Sequence, residues 1–441
     1  MLLSNLFQQL YNSIDSAVVG QFAGDIALAA VGSTAALINL LIGFFLGIAT
    51  GTGVLYAMHY GAGDYPGLKK ICDAAYMLSL AAAVFISAIG IGFAPQLLRL
   101  MDMPDDVMPL ATVYLRIFLA GTAPNLVYNV GAGMIRARGD SARPLIYLVC
   151  SGVLNLILDL IFVAGLKLGA AGAALATVMA QTLSAVLVVR CMMRLPEECR
   201  FRPLEMELDR AAVANVIRIS VPCGIQGSMF NISNLLVQTK INSFGTVAMA
   251  GVTAYTKIDG FIYMPLSAIS LAVSTYVGQN IGAGHYERVK KGVKIALALG
   301  FSVVIAVSSI VILCFEPVIR IFTQEHDSIA FARDMMLHLA PTVCLFVVSD
   351  ILGASMRGMG AAVPVTVISA LCICVFRIVW LLAVLPAMYS ITTVFWCYPL
   401  SWALSSAVMA LYYFRCPAIR AGIKTVPPDK RTLRAKARAK A

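Results

Sequence analysis

Two aspartates pose the chemical question in this chain. Asp159 lies in "NLILDLIF" (155–162), inside the apolar run Pro144–Leu166, which is about as long as a bilayer is thick. Asp15 lies in "YNSID" (11–15), inside another apolar run. An ionised carboxylate at such depth is costly unless another group compensates it. Asn155 stands four residues before Asp159, on the same helical face and one turn away. Gln8 stands seven residues before Asp15, also on its face.

The elements that must carry these residues are membrane spans. The chain has 441 residues, 60% hydrophobic and 12% charged, with mean hydropathy +0.86, whereas soluble domains carry about a quarter charged residues. Twelve apolar runs long enough to span fall at 1–23, 27–58, 72–94, 107–135, 144–166, 169–193, 213–243, 247–280, 292–314, 329–356, 363–385 and 390–414. Pro124 and Pro265 are expected kink sites. Most of the 33 basic residues fall in alternate connections and in the C-terminal tail, while the other connections are short or acidic, as in "MDMPDD" (101–106) and "TQEHDS" (323–328). By the positive-inside rule both termini are cytoplasmic.

With that topology, a rise of ~1.5 Å per residue places Asp159 and Tyr114 ~10 Å, and Asp15 and Thr177 ~12 Å, below the outer edge. Four polar groups from four helices thus share one level. Two carboxylates that meet in a low-dielectric pocket cannot both ionise cheaply: one keeps a proton, or the pair shares a cation. Such a site suits ion-coupled transport. A purely structural polar knot is the competing explanation, but intramembrane hydrogen bonds average only ~0.6 kcal/mol, a weak reason to bury two acids.

The chain also repeats itself. "GAGDYPGLKK" (61–70) returns as "GAGHYERVKK" (282–291), "RARGDSARP" (136–144) as "RGMGAAVP" (357–364), and "YNSID" as "FNISN" (230–234). Six spans per repeat give two lobes of the same orientation, related by a pseudo-two-fold axis along the membrane normal. Asp15 then corresponds to Asn234, and Asp159 falls near Trp380, so the acid pair belongs to the first lobe alone. The second lobe has its own intramembrane charges, Lys240, Lys257, Asp259, Asp350 and Arg377, and Asp350 is a candidate to pair with Arg377 or Lys257. The basic arm before span seven, "LDRAAVANVIRIS" (208–220), has no counterpart before span one, so the first helix is expected to be truncated at its cytoplasmic end.

Other classes find little support. The net charge of +11 is spread between apolar runs and in the tail, which argues against a nucleic-acid groove. Eleven cysteines include no Cys-x-x-Cys pair, and His59, His285, His326 and His338 form no ligand-spaced cluster. No hydrolase, nucleotide or zinc-protease motif is present, and no cofactor is expected.

"QQLYNSIDSAVVGQFAG", "YGAGDYPGLKK", "RARGDSARPL", "NLILDLIF", "GAAGAALAT" and "VGQNIGAGHYERVKKG", in this order across both halves, resemble the multidrug and toxic compound extrusion (MATE) transporters of the bacterial and archaeal branch. The resemblance implies an all-α integral membrane protein with a V-shaped twelve-helix fold. It implies a multi-pass location in a bacterial or archaeal plasma membrane and export of amphiphilic, often cationic, compounds against inward Na⁺ or H⁺ flow. It also implies a first-lobe network of an aspartate on helix one, an Asn-x-x-x-Asp pair on helix five, a tyrosine on helix four and a threonine on helix six. Asp15, Asn155 with Asp159, Tyr114 and Thr177 match those positions. Span seven lacks the acid that another branch uses in a sodium site.

The expectation is a monomeric secondary antiporter, not an enzyme, with an N-lobe (1–193), a cytoplasmic connection (194–212), a C-lobe (213–414) and a basic tail (415–441). Its partners are organic cations or drugs and the lipid bilayer, with no nucleic acid. Asp15, Asp159, Asn155, Tyr114 and Thr177 carry the coupling H⁺ or Na⁺, with Asp15, Asp159 and Asn155 the candidate Na⁺ ligands. Gln8, Asn39, Met264 and Asp350 are candidates for substrate contact. The alternative is a flippase for a lipid-linked or polysaccharide precursor of the same superfamily.

Overall fold

A computed structural model describes residues 7, 15, 18–101 and 103–416. Among them every regular element is helical: α1 (Asp25–Ala62), α2 (Tyr65–Arg99), α3 (Met108–Ala120), α4 (Thr122–Ala137), α5 (Ala142–Asp159), α6 (Gly169–Met193), α7 (Arg210–Asn242), α8 (Thr246–Gly282), α9 (Tyr286–Leu313), α10 (Phe315–Phe322), α11 (His326–Leu339), α12 (Val343–Gly358), α13 (Ala362–Ser369), α14 (Phe376–Val379) and α15 (Ile391–Arg415), with short 3₁₀ turns at Glu197–Cys199 and Pro203–Glu205. π-helical turns prolong α5 over Leu160–Gly165, join α13 to α14 over Ala370–Val375, and prolong α14 over Trp380–Val384. Residues 18–23 are helical, while most of the expected first span, Gln8 included, lies outside the described residues.

Eight of these helices are long and apolar enough to cross a membrane, or ten spans when the bent pairs α3–α4 (46°) and α11–α12 (52°) each count once. Of the remaining expected spans, the first is largely undescribed. The seventh is α7, whose Gln226, Asn231, Ser233 and Asn234 dilute its apolar character. Two of those amides have partners on other helices: Gln226 Nε2 donates to Ser369 Oγ at 2.9 Å, and Asn234 Oδ1 accepts from Arg377 at 3.0 Å. The bend in α3–α4 falls at Gly121, three residues before Pro124, which sits in the first turn of α4, where a missing N–H costs nothing. Pro265 lies inside the single helix α8. The short amphipathic α10 was not among the expected elements. It buries Phe315 and Ile319 and pairs Glu316 with Arg320 at 3.2 Å.

The helices form two compact units: the chain up to Tyr56 with Tyr65–Gly224, and Ala57–Asp64 with the chain from Ile225 onward. In the first unit α6 packs against α3, α4 and α5. Its buried face is small (Gly172, Ala173, Ala174, Ala176, Ala180), so neighbouring backbones approach closely, which in lipid replaces the hydrophobic drive between helices. Asp140 and Asp209 accept backbone N–H groups at the starts of α5 and α7. Asp209 also takes Lys70 Nζ at 2.7 Å, and that ammonium, with the Ala212 N–H, holds its carboxyl below the usual carboxylate range. In the second unit α8 packs against α9, α11 and α12, and α12 against α15.

The repeat extends to the backbone. Glycines with positive φ occur in pairs 221 residues apart: Gly24 and Gly245, Gly63 and Gly284, Gly139 and Gly360. Gly63 and Gly284 end the two "GAG" motifs in the left-handed region, so these motifs are tight turns after long helices. Within the second unit the motifs also meet. A Cβ on Gly61 would land on the Gln279 carbonyl, and one on Gly282 on the Met58 carbonyl, so each glycine admits the other repeat's backbone. Gly282→Ala should therefore destabilise the protein by about 1–3 kcal/mol, a common range for overpacking. Gly260→Ala, where a Cβ meets nothing within 4 Å, should not. Thermal unfolding of the two detergent-purified variants checks this, and equal melting temperatures would remove the close approach from the account.

Candidate functional site

The first unit gathers its polar groups on one face of α5. Ser151, Asn155 and Asp159 stand four residues apart and are all buried, Asp159 at 0% exposure. Ser151 Oγ donates to the Ala180 carbonyl of α6 at 2.8 Å. The Asn155 amide, oriented by its partners, donates from nitrogen to Asp159 Oδ2 at 2.8 Å and accepts at oxygen from the Thr177 backbone N–H at 3.2 Å. The side chains of Asp159 and Asp15 come together at this level. A carboxyl–carboxyl hydrogen bond exists only while one partner carries a proton, because ionised carboxylates are acceptors alone. The Oδ1 atoms of both aspartates are buried without a partner among the described residues.

Local sequence explains the placement. α5 keeps regular pitch through Asp159, and the π turn begins at the next residue, so the last carboxylate of the column sits where the helix widens. Tyr114 is buried in an apolar cluster with Val18, Val19, Val163, Ala173 and Ala174, so residues from four segments close around one level. Of the sequence-derived candidates, Asp15, Asn155, Asp159 and Thr177 are linked, Thr177 through its backbone N–H. Tyr114 shares their core. Asn39 is exposed on α1 and Met264 half-buried on α8. Asp350 accepts from Ser270 Oγ. Neither expected pairing of Asp350, with Arg377 or with Lys257, brings charged atoms within 4.0 Å, and Lys257 lies on the exposed side of α8 while Asp259 is buried and accepts from Tyr255 at 3.2 Å. Ser151 was missed. Its spacing of four before Asn155 was the available signal.

In the second unit, Arg377 is 3% exposed. Its Nε donates to Ser401 Oγ at 3.1 Å, its Nη1 to Asn234 Oδ1 at 3.0 Å, and its guanidinium lies over the Tyr398 ring, 4.3 Å from the centroid. No group of three or more His, Cys, Asp or Glu suited to a metal occurs among the described residues.

The fold is that of a polytopic helical transporter. A multidrug resistance MATE family transporter of the MOP superfamily, solved in an outward-facing conformation, superposes with a TM-score of 0.87 over 95% of this chain and 94% of that one, at 22% identity. The MatE family model matches residues 1–161 and 222–385, and the chain belongs to that family. Similar proteins include the probable multidrug resistance proteins YoeA and YpnP of Bacillus subtilis (strain 168). They are 27% and 26% identical, over 84% and 86% of this chain and 81% and 84% of theirs. Membership places the chain among transporters rather than enzymes. Nothing in these likenesses points to a precursor flippase.

Asn155→Leu removes the donor to a fully buried carboxyl and should lower stability by about 1–3 kcal/mol, the cost of an unsatisfied buried group. Thermal unfolding in detergent reads this directly. An unchanged midpoint would mean that the amide does not brace Asp159.

Proposed function

We propose that this chain is a secondary active exporter of amphiphilic cationic organic compounds, coupled to inward proton flow through Asp15 and Asp159. The meeting of those two carboxyl groups at a buried place carries the reading. With one shared proton the pair keeps a single negative charge in a layer with no water, and an organic cation is a fitting counter-charge. A second proton from the outside neutralises the pair, the cation loses its counter-charge, and substrate leaves as the proton stays. Proton release to the cytoplasm restores the charge.

The orientation of Asn155 supports H⁺ over Na⁺. Its nitrogen faces Asp159 and its oxygen accepts from Thr177 N–H, so the amide does not offer its oxygen to a cation beside the carboxyl. Sodium takes oxygen ligands, and this arrangement supplies fewer of them than the residue types suggest. Ser151 ties the same helix to α6 and positions the column. Tyr114 and Thr177 belong to the walls of the site. The proposal includes a monomer in the plasma membrane with both termini cytoplasmic, the lobes being 1–193 and 213–414.

The test uses purified protein in liposomes loaded with a fluorescent organic cation, under a proton gradient or a sodium gradient alone. Wild-type protein should export under the proton gradient only. Asp159→Asn should fall to the level of empty liposomes while remaining folded and inserted. Export driven by sodium without a pH gradient would replace the coupling ion, and an active Asp159→Asn would remove the site from the mechanism.

A further inference from the structure

The two repeats hold opposite chemistry at corresponding places. Asn234 stands where Asp15 stands in the first repeat, and Arg377 lies one turn before Trp380, the counterpart of Asp159. Both positions adjoin π turns: Leu160–Gly165 follows Asp159, and Ala370–Val375 and Trp380–Val384 flank Arg377. Where the first unit joins its helices by a carboxyl pair, the second joins α7 to α14 through a guanidinium and an amide.

Arginine stays charged at any depth, so Arg377 is a fixed buried cation. Its neighbours accept hydrogen bonds or lend a π face, and none neutralises it: Ser401, Asn234 and Tyr398 are uncharged. Asp259, on α8, is a buried acid of the same unit. Yet no carboxylate oxygen among the described residues comes within 4.0 Å of the guanidinium, and Asp259 takes its hydrogen bond from Tyr255 instead. A guanidinium has five N–H donors in a planar fork. Two atoms of this one, Nε and Nη1, donate to protein oxygens, and its remaining donors meet no acceptor among the described residues. A buried cation so arranged is poorly suited to be structural glue, because a structural role favours a full carboxylate partner.

We propose that Arg377, positioned by Asn234 and Ser401 and backed by Tyr398, receives the anionic group, a carboxylate or phosphate, of a transported amphiphile. This rests on the exporter reading and narrows its substrates to cations that also carry an anionic group. The planar fork suits two oxygens of such a group, as in bidentate arginine–carboxylate pairs.

Rhodamine B, which carries a free carboxylate beside its cationic ring system, and its methyl ester, which lacks that charge, are matched probes. Binding to purified protein is measured by fluorescence anisotropy, and export of each dye is followed in liposomes. Wild type should bind rhodamine B about tenfold more tightly than the ester, equivalent to about 1.4 kcal/mol. Arg377→Gln should lose that preference and leave ester binding within about twofold of wild type. Should Arg377→Gln fail to fold, Asn234→Asp serves. It is nearly isosteric, places a carboxylate beside the guanidinium, and should abolish the preference in the same way. Equal affinity for both dyes in wild type, or an undiminished preference in a folded Arg377→Gln or Asn234→Asp, overturns the inference. In that case continued gradient-driven export of the ester leaves the exporter reading standing. If wild type exports neither dye, the exporter reading falls and the inference with it.

Discussion

Inside an apolar span a charged or hydrogen-bonding side chain has no water to answer it, so another part of the same chain must. Much of the described structure follows from that constraint. On α5 the answer is a column: Ser151 reaches the α6 backbone, Asn155 faces α6 with its oxygen and Asp159 with its nitrogen, and Asp159 meets Asp15. In the second unit α7, too polar to count as a membrane span by hydropathy, places its amides against Ser369 and Arg377. The small residues of α6 let the donors and acceptors come close enough to pair.

The duplication kept geometry and let chemistry diverge. Positive-φ glycines, the bent pairs α3–α4 and α11–α12, and the late π turns recur at nearly constant spacing. These are backbone features that the packing of either unit requires. The side chains at the corresponding buried level differ, two acids in one unit against an amide and a guanidinium in the other. Folding alone does not demand either set, since the same backbone accommodates both.

Much of this was legible from residue spacing. Hydropathy and charge alternation outlined the spans, and counting depth brought Asp15, Asp159, Tyr114 and Thr177 to one level, with Asn155 one turn away on the face of Asp159. What spacing does not encode is orientation about the helix axis relative to neighbours. It left Asp350 free to be paired with Arg377 or Lys257, whereas packing turns Asp350 to Ser270 and Arg377 to Asn234 and Ser401. Nor does residue type reveal that Thr177 takes part by its backbone, or that Asn155 presents nitrogen rather than oxygen to the carboxyl; both depend on where α6 lies against α5. Ser151 escaped notice because its one signal, a spacing of four before Asn155, does not by itself set it apart from other serines in apolar runs.

The paired "GAG" turns have a consequence for how such a protein can vary. Gly61 and Gly282 abut carbonyl oxygens rather than side chains, so the contact is main chain against main chain. A joint of that kind has no rotamers to exchange and no volume to trade between partners. Diversification of a lineage with this architecture is therefore channelled away from that end of α1 and α8, toward positions where a side chain can change without moving a backbone, such as Gly260, beside which a Cβ would meet nothing within 4 Å.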